Sequence, residues 1–437
     1  MIRPTRRAAA CLAFGFPIAM ALGIVDAELW PLGAGYLIAV LAAMALDAML
    51  ALRIGDLKVT VTTEGQLYIG EESPLQVRLA CHRAGAPVEI DVRYDIDTLI
   101  PPATPAPVLY QPGEIAEFSL PLRPRQRGLA RLERLWLRWM GPLGLTLRQT
   151  AIPLERELRV TPNIRAVRQG AIALSAREAF FGVKEVDQSG DGSEFDALRD
   201  YTSGMDGRTI EWKHSARSGR LVCKEFRVER NHQIVLAFDT GYLMREPLGG
   251  IARLDHAINA GLLLTYMALK SGDRVGMFAF AARPYLFAAP TGTLGAFARM
   301  QRLTGDLAYT TEESNFTLSL SALNSRLNRR SLVVLMTDFV DTVTAELMVE
   351  NVARLASRHL VLFICLRDPE LSNTFESEVR DLNGMTRAGV AYDILRDRQI
   401  LFERLRRLGV HCLETTHDQV GPDLINRYLG IKRRELI

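Results

Sequence analysis

The sequence lacks most of the features by which enzymes and secreted proteins are recognised. Its five cysteines are scattered and form no CxxC pair, which favours neither a zinc site nor a disulfide framework. There is no GxxxxGKS/T, HExxH or GxSxG motif, so the chain is not itself a P-loop ATPase and has no common hydrolase signature. The net charge is only +3, and overall charge therefore argues neither for nor against nucleic-acid binding.

The chain begins with two long apolar runs. Ala8–Val25 and Pro31–Leu46 carry no charged residue, and about 20 mostly apolar residues span a bilayer. A cleaved signal peptide is the alternative for the first run. The second run follows at once, and there is no small-residue cleavage site before a polar segment, which favours a transmembrane helical hairpin over residues 1–54. We therefore expect contact with membrane lipid through residues 8–51.

Charges on either side of the hairpin predict its orientation. Basic residues lie outside both runs, whereas the connecting turn is acidic, so the positive-inside rule places everything after the hairpin in the cytoplasm. Asp47 is either a functional intramembrane acid or an interfacial residue near Arg53, and the interfacial position is favoured. The flanking basic residues are Arg3, Arg6, Arg7, Arg53 and Lys58.

Residues 55–160 have the alternating pattern of half-buried strands. Val88–Ile96 places apolar side chains at every second position, and similar alternation occurs near Leu75 and Phe118. This predicts an antiparallel β-sandwich-like domain. A basic stripe within it could attract anionic headgroups or be an ordinary solvated strand face, which is favoured; no aromatic platform accompanies it, so we expect no nucleic-acid binding. The stripe comprises Arg123, Arg125, Arg127, Arg131, Arg134 and Arg138.

From residue 231 to 437, short apolar runs alternate with helical patterns. The runs include Gln233–Asp239, Arg274–Phe280, Ser331–Asp338 and His359–Leu366. This order predicts an α/β domain with a doubly wound, mostly parallel sheet. Helices are expected near Leu254–Leu269, Thr293–Leu303, Leu318–Leu327, Ala345–Ala356, Asp397–Leu408 and Asp423–Leu429.

Two of these strands end in aspartates, Asp239 and Asp338, which the parallel sheet should bring to one edge. The first loop resembles the Asp-x-Ser-x-Ser metal loop of von Willebrand factor A domains, but Gly241 and Leu243 replace its serines. The resemblance implies a degenerate metal site using Asp239, Asp338 and either Ser314 or Thr310, with Thr311 a further candidate. We expect no cofactor, with Mg²⁺ as the minor alternative; the acids would otherwise cap helices.

The segment Gly192–Glu229 resembles the signature of the bacterial family called domain of unknown function 58. Its dense charges and aromatics suit either a docking surface or an internal strap of residues 161–230 between the two domains, and the strap is favoured for Phe195 and Trp212. The signature residues are Glu194, Phe195, Arg199, Tyr201, Arg208, Trp212, Ser215, Arg217 and Glu229. His214 and Ser215 are expected in a strand or turn, with diverging side chains.

That resemblance implies a protein of the bacterial inner membrane that works with a MoxR-type AAA+ ATPase in assembly or maturation of other proteins. We expect a non-enzymatic adaptor that docks through the loops at the carboxyl edge of the sheet, Asp239–Met244, Thr310–Phe316 and Asp338–Asp341. The alternative is a membrane-tethered, divalent-metal-dependent hydrolase using Asp239 and Asp338, and a purely structural scaffold is a third. The client protein is not identified by the sequence. The predicted interaction residues are Asp239, Gly241, Tyr242, Asp338 and Asp341.

Overall fold

The computed structural model describes residues 2–25, 30–81, 86–102, 106–163, 189–202, 207–227, 232–293, 295–339, 342–376, 382–434 and 436. The chain is a mixed α/β protein with several sheets. It divides into two compact units, residues 1–163 and residues 164–437.

The first unit begins with a short strand and two apolar helices. Strand β1 (Ile2–Pro4) leads into α1 (Arg6–Val25), and α2 (Trp30–Leu50) packs beside it. The hydroxyl of Tyr36 donates a hydrogen bond to the Cys11 carbonyl at 3.0 Å. One helix of the described chain, over Pro31–Asp56, is long and apolar enough to cross a membrane. The second predicted span, over α1, stays a prediction.

The rest of the first unit is built from strands in two sheets. One sheet has the order β1-β9-β8-β5-β6, with β3 paired to β9, and the other has the order β2-β4-β7. The predicted alternation is confirmed, because buried and exposed side chains alternate along β4 and β5. These strands are β2 (Leu57–Thr62), β3 (Gln66–Tyr68), β4 (Ser73–Cys81), β5 (Val88–Ile96), β6 (Ala106–Tyr110), β7 (Ile115–Leu122), β8 (Gly128–Met140) and β9 (Thr146–Thr161).

The second unit contains a paired-strand segment followed by a large sheet with helices. The first segment consists of β10 (Ser189–Asp200), α3 (Trp212–Ser218) and β11 (Val222–Arg227). The remaining elements are β12 (Gln233–Asp239), α4 (Tyr242–Arg245), β13 (Pro247–Leu248), β14 (Ile251–Ala252), α5 (Arg253–Lys270), β15 (Arg274–Phe280), β16 (Pro284–Thr291), α6 (Gly295–Gly305), α7 (Phe316–Arg326), β17 (Leu332–Met336), α8 (Thr342–Ala356), β18 (Leu360–Leu366), α9 (Pro369–Glu376), α10 (Leu382–Arg407), β19 (His411–Thr415) and α11 (Val420–Arg433).

The large sheet is covered by helices on both faces. Its strand order is β16-β15-β12-β17-β18-β19, and all pairs except β15–β16 are parallel. Alternate residues of β12 join different cores: Leu236 and Phe238 pack with α5, α6 and α11, whereas Val235 and Ala237 pack with α7, α8 and α10. Burial on both faces explains why its central strands are continuous apolar runs.

Three details of this unit differ from the predictions. The antiparallel edge strand β16 was not predicted, because Pro284 and Pro290 interrupt its pattern, although an edge strand tolerates proline. Helix α10 begins at Leu382 rather than near Asp397. His214 and Ser215 lie in helix α3, so the predicted strand or turn there is wrong.

Candidate functional site

The two aspartates at the strand ends lie beside the point where the sheet changes direction. Asp239 ends β12, and Asp338 follows β17, which pairs in parallel with β12 so that Phe238 lies opposite Met336. From β12 the chain passes first to β15 on one side and later to β17 on the other. Open α/β sheets form their binding crevices at the carboxyl edge of such a switch point.

Asp239 is enclosed by donors from three segments. The carboxylate is 2% exposed and accepts hydrogen bonds from the Gly241 amide at 2.9 Å, the Thr337 hydroxyl at 2.5 Å and the Ser314 hydroxyl. Burial raises the pKa of Asp239 above its ordinary value, and the charge of nearby Asp338 adds to this, although the hydrogen bonds act in the opposite direction. The carboxyl group therefore holds three loops together.

Gly241 is needed where the metal-loop motif has its first serine. A Cβ atom at this position would lie 2.1 Å from the Ser314 hydroxyl and 3.2 Å from an Asp239 carboxylate oxygen. Ser314 thus occupies the space that a side chain at position 241 would need. The hydroxyl that lies here comes from another loop and donates to Asp239.

Asp338 is neutralised by two arginines from distant helices. Arg253, the first residue of α5, and Arg398, in α10, both form ion pairs with its carboxylate. These guanidinium groups are 8% and 5% exposed. The Phe339 amide donates to the carboxylate at 2.9 Å, and the Cys365 thiol donates at 3.1 Å.

The charge cluster extends to a second carboxylate and a thiol. Arg253 also contacts Asp368 at 3.1 Å, and Arg398 lies 2.8 Å from the Cys365 sulfur. Burial, followed by the charge of Asp338, raises the pKa of Cys365 well above its ordinary value, so the thiol stays protonated and remains a donor. Two arginines and two carboxylates balance, as a buried ionic group requires.

This arrangement does not fit a divalent cation. Thr310 donates to the Thr240 carbonyl at 2.6 Å, Ser314 donates to Asp239, and Asp338 is paired with guanidinium groups. Mg²⁺ needs oxygen ligands in a nearly octahedral array. The four predicted ligands instead bond to each other or to other protein groups. Over the described ranges, no group of three or more His, Cys, Asp or Glu side chains could hold a metal.

Above the buried acids, exposed side chains form what we call the rim: Tyr242, Tyr285, Thr311, Glu312 and Glu313. Tyr242 and Tyr285 are 40% and 49% exposed. The Tyr242 amide donates to the Glu312 carbonyl at 3.0 Å, and the Tyr285 hydroxyl donates to the Thr240 hydroxyl at 3.1 Å. The rim is therefore aromatic and acidic on a backbone that is held in place.

The structure brings together Asp239, Gly241, Ser314 and Asp338, as the sequence predicts, whereas Asp341 lies outside the described residues. It adds a set of residues that sequence reasoning missed, because they are far away in the chain and belong to no motif. Had the edge strand β16 been recognised in the sequence, it would have pointed to Tyr285. The missed residues are Arg253, Tyr285, Cys365, Asp368 and Arg398, whereas Glu312 lies within the predicted docking loop Thr310–Phe316.

The signature segment has one residue with a defined structural role. Ser215 is buried in α3, and its hydroxyl accepts a hydrogen bond from the Val222 amide of β11 at 2.9 Å. The Tyr201 amide donates to the Leu221 carbonyl at 2.9 Å, which continues the pairing of β10 with β11. Ser215 therefore fixes the short helix to the strand pair.

Trp212 is 69% exposed within the structure, and its predicted place in an internal strap between the two domains stays a prediction. Arg199 and Arg217 are also exposed. The other predicted signature residues lie outside the described residues or side chains: Glu194, Phe195, Arg208 and Glu229.

Part of the second unit matches the sequence model of a known family. Residues 197–387 match the model of the family described as protein of unknown function DUF58. This segment of the chain is therefore similar to the DUF58 family. No functionally curated protein matches the chain.

The solved structures that resemble this chain do so only distantly. The conserved hypothetical protein BatB of Bacteroides thetaiotaomicron is 13% identical, with 46% of this chain and 99% of that chain covered and a TM-score of 0.28. Native alpha-2-macroglobulin of Escherichia coli is 16% identical over 26% and 17%, with a TM-score of 0.21. Spo0M, a sporulation control protein of Bacillus subtilis, is 17% identical over 28% and 56%, with a TM-score of 0.19. Likeness at this level supports no inference about function.

Proposed function

We propose that this protein is a membrane-anchored cytoplasmic adaptor of the bacterial inner membrane. It would dock a MoxR-type AAA+ ATPase during assembly or maturation of other proteins. We assign the C-terminal α/β domain to a von Willebrand factor A-like class in which the metal site is degenerate. The observation that carries the proposal is the rim at the switch point, exposed above loops that buried polar contacts hold in place.

The composition of the rim supports a protein partner. Tyrosine is among the residue types that dominate interface energy. The backbone amide of Tyr242 and the hydroxyl of Tyr285 are each held by a hydrogen bond. A surface ordered before binding loses less conformational entropy when a partner arrives. The buried acids Asp239 and Asp338 act as positioning residues beneath this surface rather than as contacts.

Helix α10 provides further exposed apolar side chains. Arg398 of α10 reaches Asp338, and α10 begins 16 residues earlier at Leu382, which corresponds to about 24 Å of helix at the usual rise. Met385, Val390 and Tyr392 in this part are 66%, 54% and 50% exposed. These exposed apolar side chains favour a binding role for the first part of α10 as well.

Docking would be metal-independent in this proposal. In a von Willebrand A site a bound cation supplies positive charge next to the strand-end acids. Here the guanidinium groups of Arg253 and Arg398 supply that charge permanently at Asp338. The hydrolase alternative needs Asp239 and Asp338 free to hold a cation, and the contacts of both carboxylates argue against it.

Capture of the cognate ATPase by the detergent-solubilised full chain tests the docking proposal. Tyr242→Ala combined with Tyr285→Ala should lower capture at least tenfold. Leu408→Ala is the matched control, because Leu408 is 44% exposed but follows α10 at the opposite, amino edge of the sheet. Equal capture by the tyrosine variant and the control would remove the rim from the interface, and absence of capture by the wild type would contradict the partner.

Trp212 provides a second, smaller candidate contact. Its indole is exposed next to Lys213 and Arg217, and neither cation has an ion-pair partner among the residues that the structure describes. Trp212→Ala should reduce capture of the same ATPase with no loss of stability, since it removes an exposed side chain. Unchanged capture would leave the signature segment with the structural role of Ser215 alone.

A further inference from the structure

The amino edge of the large sheet, opposite the rim, carries many arginines. Short loops enter the parallel strands there, and helices α7, α8, α10 and α11 end beside those loops. Lys432 in the last turn of α11 contacts Asp273, just before β15, at 2.9 Å, which places the end of α11 at this edge. We call the exposed arginines of these loops and helix ends the basic edge: Arg274, Arg329, Arg330, Arg358, Arg406, Arg407, Arg433 and Arg434.

The arginines of the basic edge have no ion-pair partner within the part of the chain that the structure describes. Arginines slightly earlier on the same helices differ in this respect. Arg354 of α8 pairs with Glu350 at 2.6 Å, and Arg404 of α10 pairs with Glu346 at 3.5 Å. The positive charge at the edge is therefore available to a ligand.

Acidic side chains at this edge do not neutralise it. Over the described residues of the strand-entry loops, the one acid is Asp273, which is fully buried. Its carboxylate accepts hydrogen bonds from the His232 amide at 3.2 Å, from the Tyr428 hydroxyl and from Lys432. Glu403 is exposed on α10 one turn before the helix end. A surplus of positive charge remains.

Helix ends explain only part of this surplus. Arg406, Arg407 and Arg433 lie in the last turns of α10 and α11, where a cation stabilises the negative end of the helix dipole. Arg274 and Arg358 lie outside the helices, as do both arginines of the loop before β17. These positions have no such structural reason to be basic.

Two histidines at the starts of neighbouring strands lie in this positive field. Burial lowers the pKa of His359, and the charge of Arg358 lowers it further. Burial also lowers the pKa of His411, and the charges of Arg427 and Arg434 add to the effect. The sheet edge at β18 and β19 is therefore a region of positive potential.

The basic edge is a long surface rather than a pocket. Strands β15 and β19 are four strand intervals apart, which corresponds to about 19 Å. Leu408 lies among the arginines and is 44% exposed. The described loops of this edge have no exposed aromatic side chain, so the stacking platform typical of single-stranded nucleic-acid sites is absent from them.

We propose that the basic edge binds the phosphate groups of anionic phospholipids at a bilayer surface. Clusters of four to eight basic side chains are attracted to such surfaces, and guanidinium groups bind phosphate through paired hydrogen bonds. The helix over Pro31–Asp56, which is long and apolar enough to cross a membrane, would keep the domain at a high local concentration beside a bilayer. A nucleic acid or an acidic protein has no such advantage. This inference rests on the membrane anchoring in the proposed function and is independent of the ATPase.

This contact gives the domain a definite orientation. The amino and carboxyl edges are separated by the length of the strands, and the seven residues of β15 correspond to about 23 Å. With its amino edge on the lipid, the domain turns the rim away from the bilayer. The rim is then accessible to a soluble partner.

Two labelling positions at opposite edges provide the test. Ser357 at the amino edge and Thr311 at the rim are both exposed. Ser357→Cys or Thr311→Cys would carry a fluorophore in a Cys11→Ala background, since the other cysteines are buried. The full chain is placed in nanodiscs of phosphatidylglycerol or phosphatidylcholine that contain a lipid with a nitroxide quencher on its headgroup.

The expected result is strong quenching at position 357 in phosphatidylglycerol, weaker quenching there in phosphatidylcholine and little at position 311 in either lipid. Combined replacement of Arg329, Arg330, Arg406 and Arg407 by Gln should weaken the lipid contact by roughly two to three orders of magnitude and abolish the quenching. The matched control changes the charge equally at exposed positions on the carboxyl side and should preserve it. The control replaces Arg245, Arg283, Arg387 and Arg396 by Gln.

The contrary outcomes separate this inference from the anchoring. Equal quenching at positions 357 and 311, in protein that resists carbonate extraction, overturns the lipid contact and leaves the anchoring intact. Equal quenching at position 357 in both lipids overturns the assignment to anionic headgroups. Binding of an RNA duplex that the four edge substitutions remove, without quenching in phosphatidylglycerol, would make the edge a nucleic-acid surface instead. Full carbonate extraction of the wild type contradicts the anchoring and, with it, the lipid contact.

Discussion

Asp47 in the first unit and Asp338 in the second are both buried carboxylates, but their donors differ. Asp47 is satisfied by three backbone amides and one hydroxyl from a single loop. Asp338 is satisfied mainly by two guanidinium groups from helices that are far apart in sequence. Neutral donors fix the backbone of one neighbouring loop, whereas charged donors tie whole helices to a sheet edge. In both cases the carboxylate is used for positioning.

Asp338 and Asp47 should differ most in how much stability the protein loses when each is replaced by alanine. Asp338→Ala leaves two buried guanidinium groups unpaired and should lower the free energy of unfolding by about 3–5 kcal/mol. Glu350→Ala is the matched control, because its pair with Arg354 is exposed on α8 and should cost only about 0.3–0.5 kcal/mol. Urea unfolding of both variants measures this. Equal losses would mean that the buried cluster does not hold the edge together.

Asp47→Ala should have a smaller and more local effect. The amides of Leu143, Leu145 and Thr146 lose their acceptor, which costs about 1–3 kcal/mol. Water that enters beside the end of α2 can accept some of these hydrogen bonds. Hydrogen exchange should accelerate at Leu143, Leu145 and Thr146. Asp56→Ala, nine residues later in the chain, serves as the control. Unchanged protection at the three amides would contradict the rigid connection between helix and loop.

Gly241→Ser restores a serine of the metal-loop motif but creates an overlap with Ser314. Overpacking of this kind should lower the free energy of unfolding by about 1–3 kcal/mol. Adding Ser314→Gly removes the overlap and should recover most of the loss in a thermal melt. Full stability of the single variant would show that Ser314 moves away easily, and the closed arrangement around Asp239 would then be wrong.

The smallest expected effect is a change in how stability depends on pH, and it comes from Asp239. Burial raises its pKa in the folded state, so the folded protein binds the proton more tightly than the unfolded chain. Its contribution to stability is present below the unfolded pKa of about 3.9 and is lost as the pH rises through the folded pKa. Relative to Asp239→Asn, the wild type should therefore lose stability over that rise in pH. A constant difference would contradict the raised pKa.

The sequence predicts the sheet well because its central strands are buried on both faces. Arg274–Phe280 was predicted with the observed bounds, and the ends of β12 and β17 follow from the apolar runs. Parallel pairing then brings Asp239 and Asp338 to one edge without any knowledge of side-chain contacts. Strand β16 was missed because prolines disturb the pattern that identifies strands.

Contacts between distant residues could not be predicted in this way. Arg253 and Arg398 lie 85 and 60 residues from Asp338 in sequence, and Leu143 lies 96 residues from Asp47. Nothing local distinguishes these arginines from solvent-exposed ones on amphipathic helices. The same limit applies to Gly241, because only the position of Ser314 explains why a side chain is missing there.

The central claim is that guanidinium groups, and not a divalent cation, supply the positive charge at the sheet edge. Calorimetric titration of the solubilised full chain with Mn²⁺ and Mg²⁺, combined with thermal melts, tests it most directly. The account predicts no binding heat beyond dilution and no change in melting temperature. Stoichiometric binding that disappears in Asp338→Asn would contradict it and would revive the metal-dependent alternative.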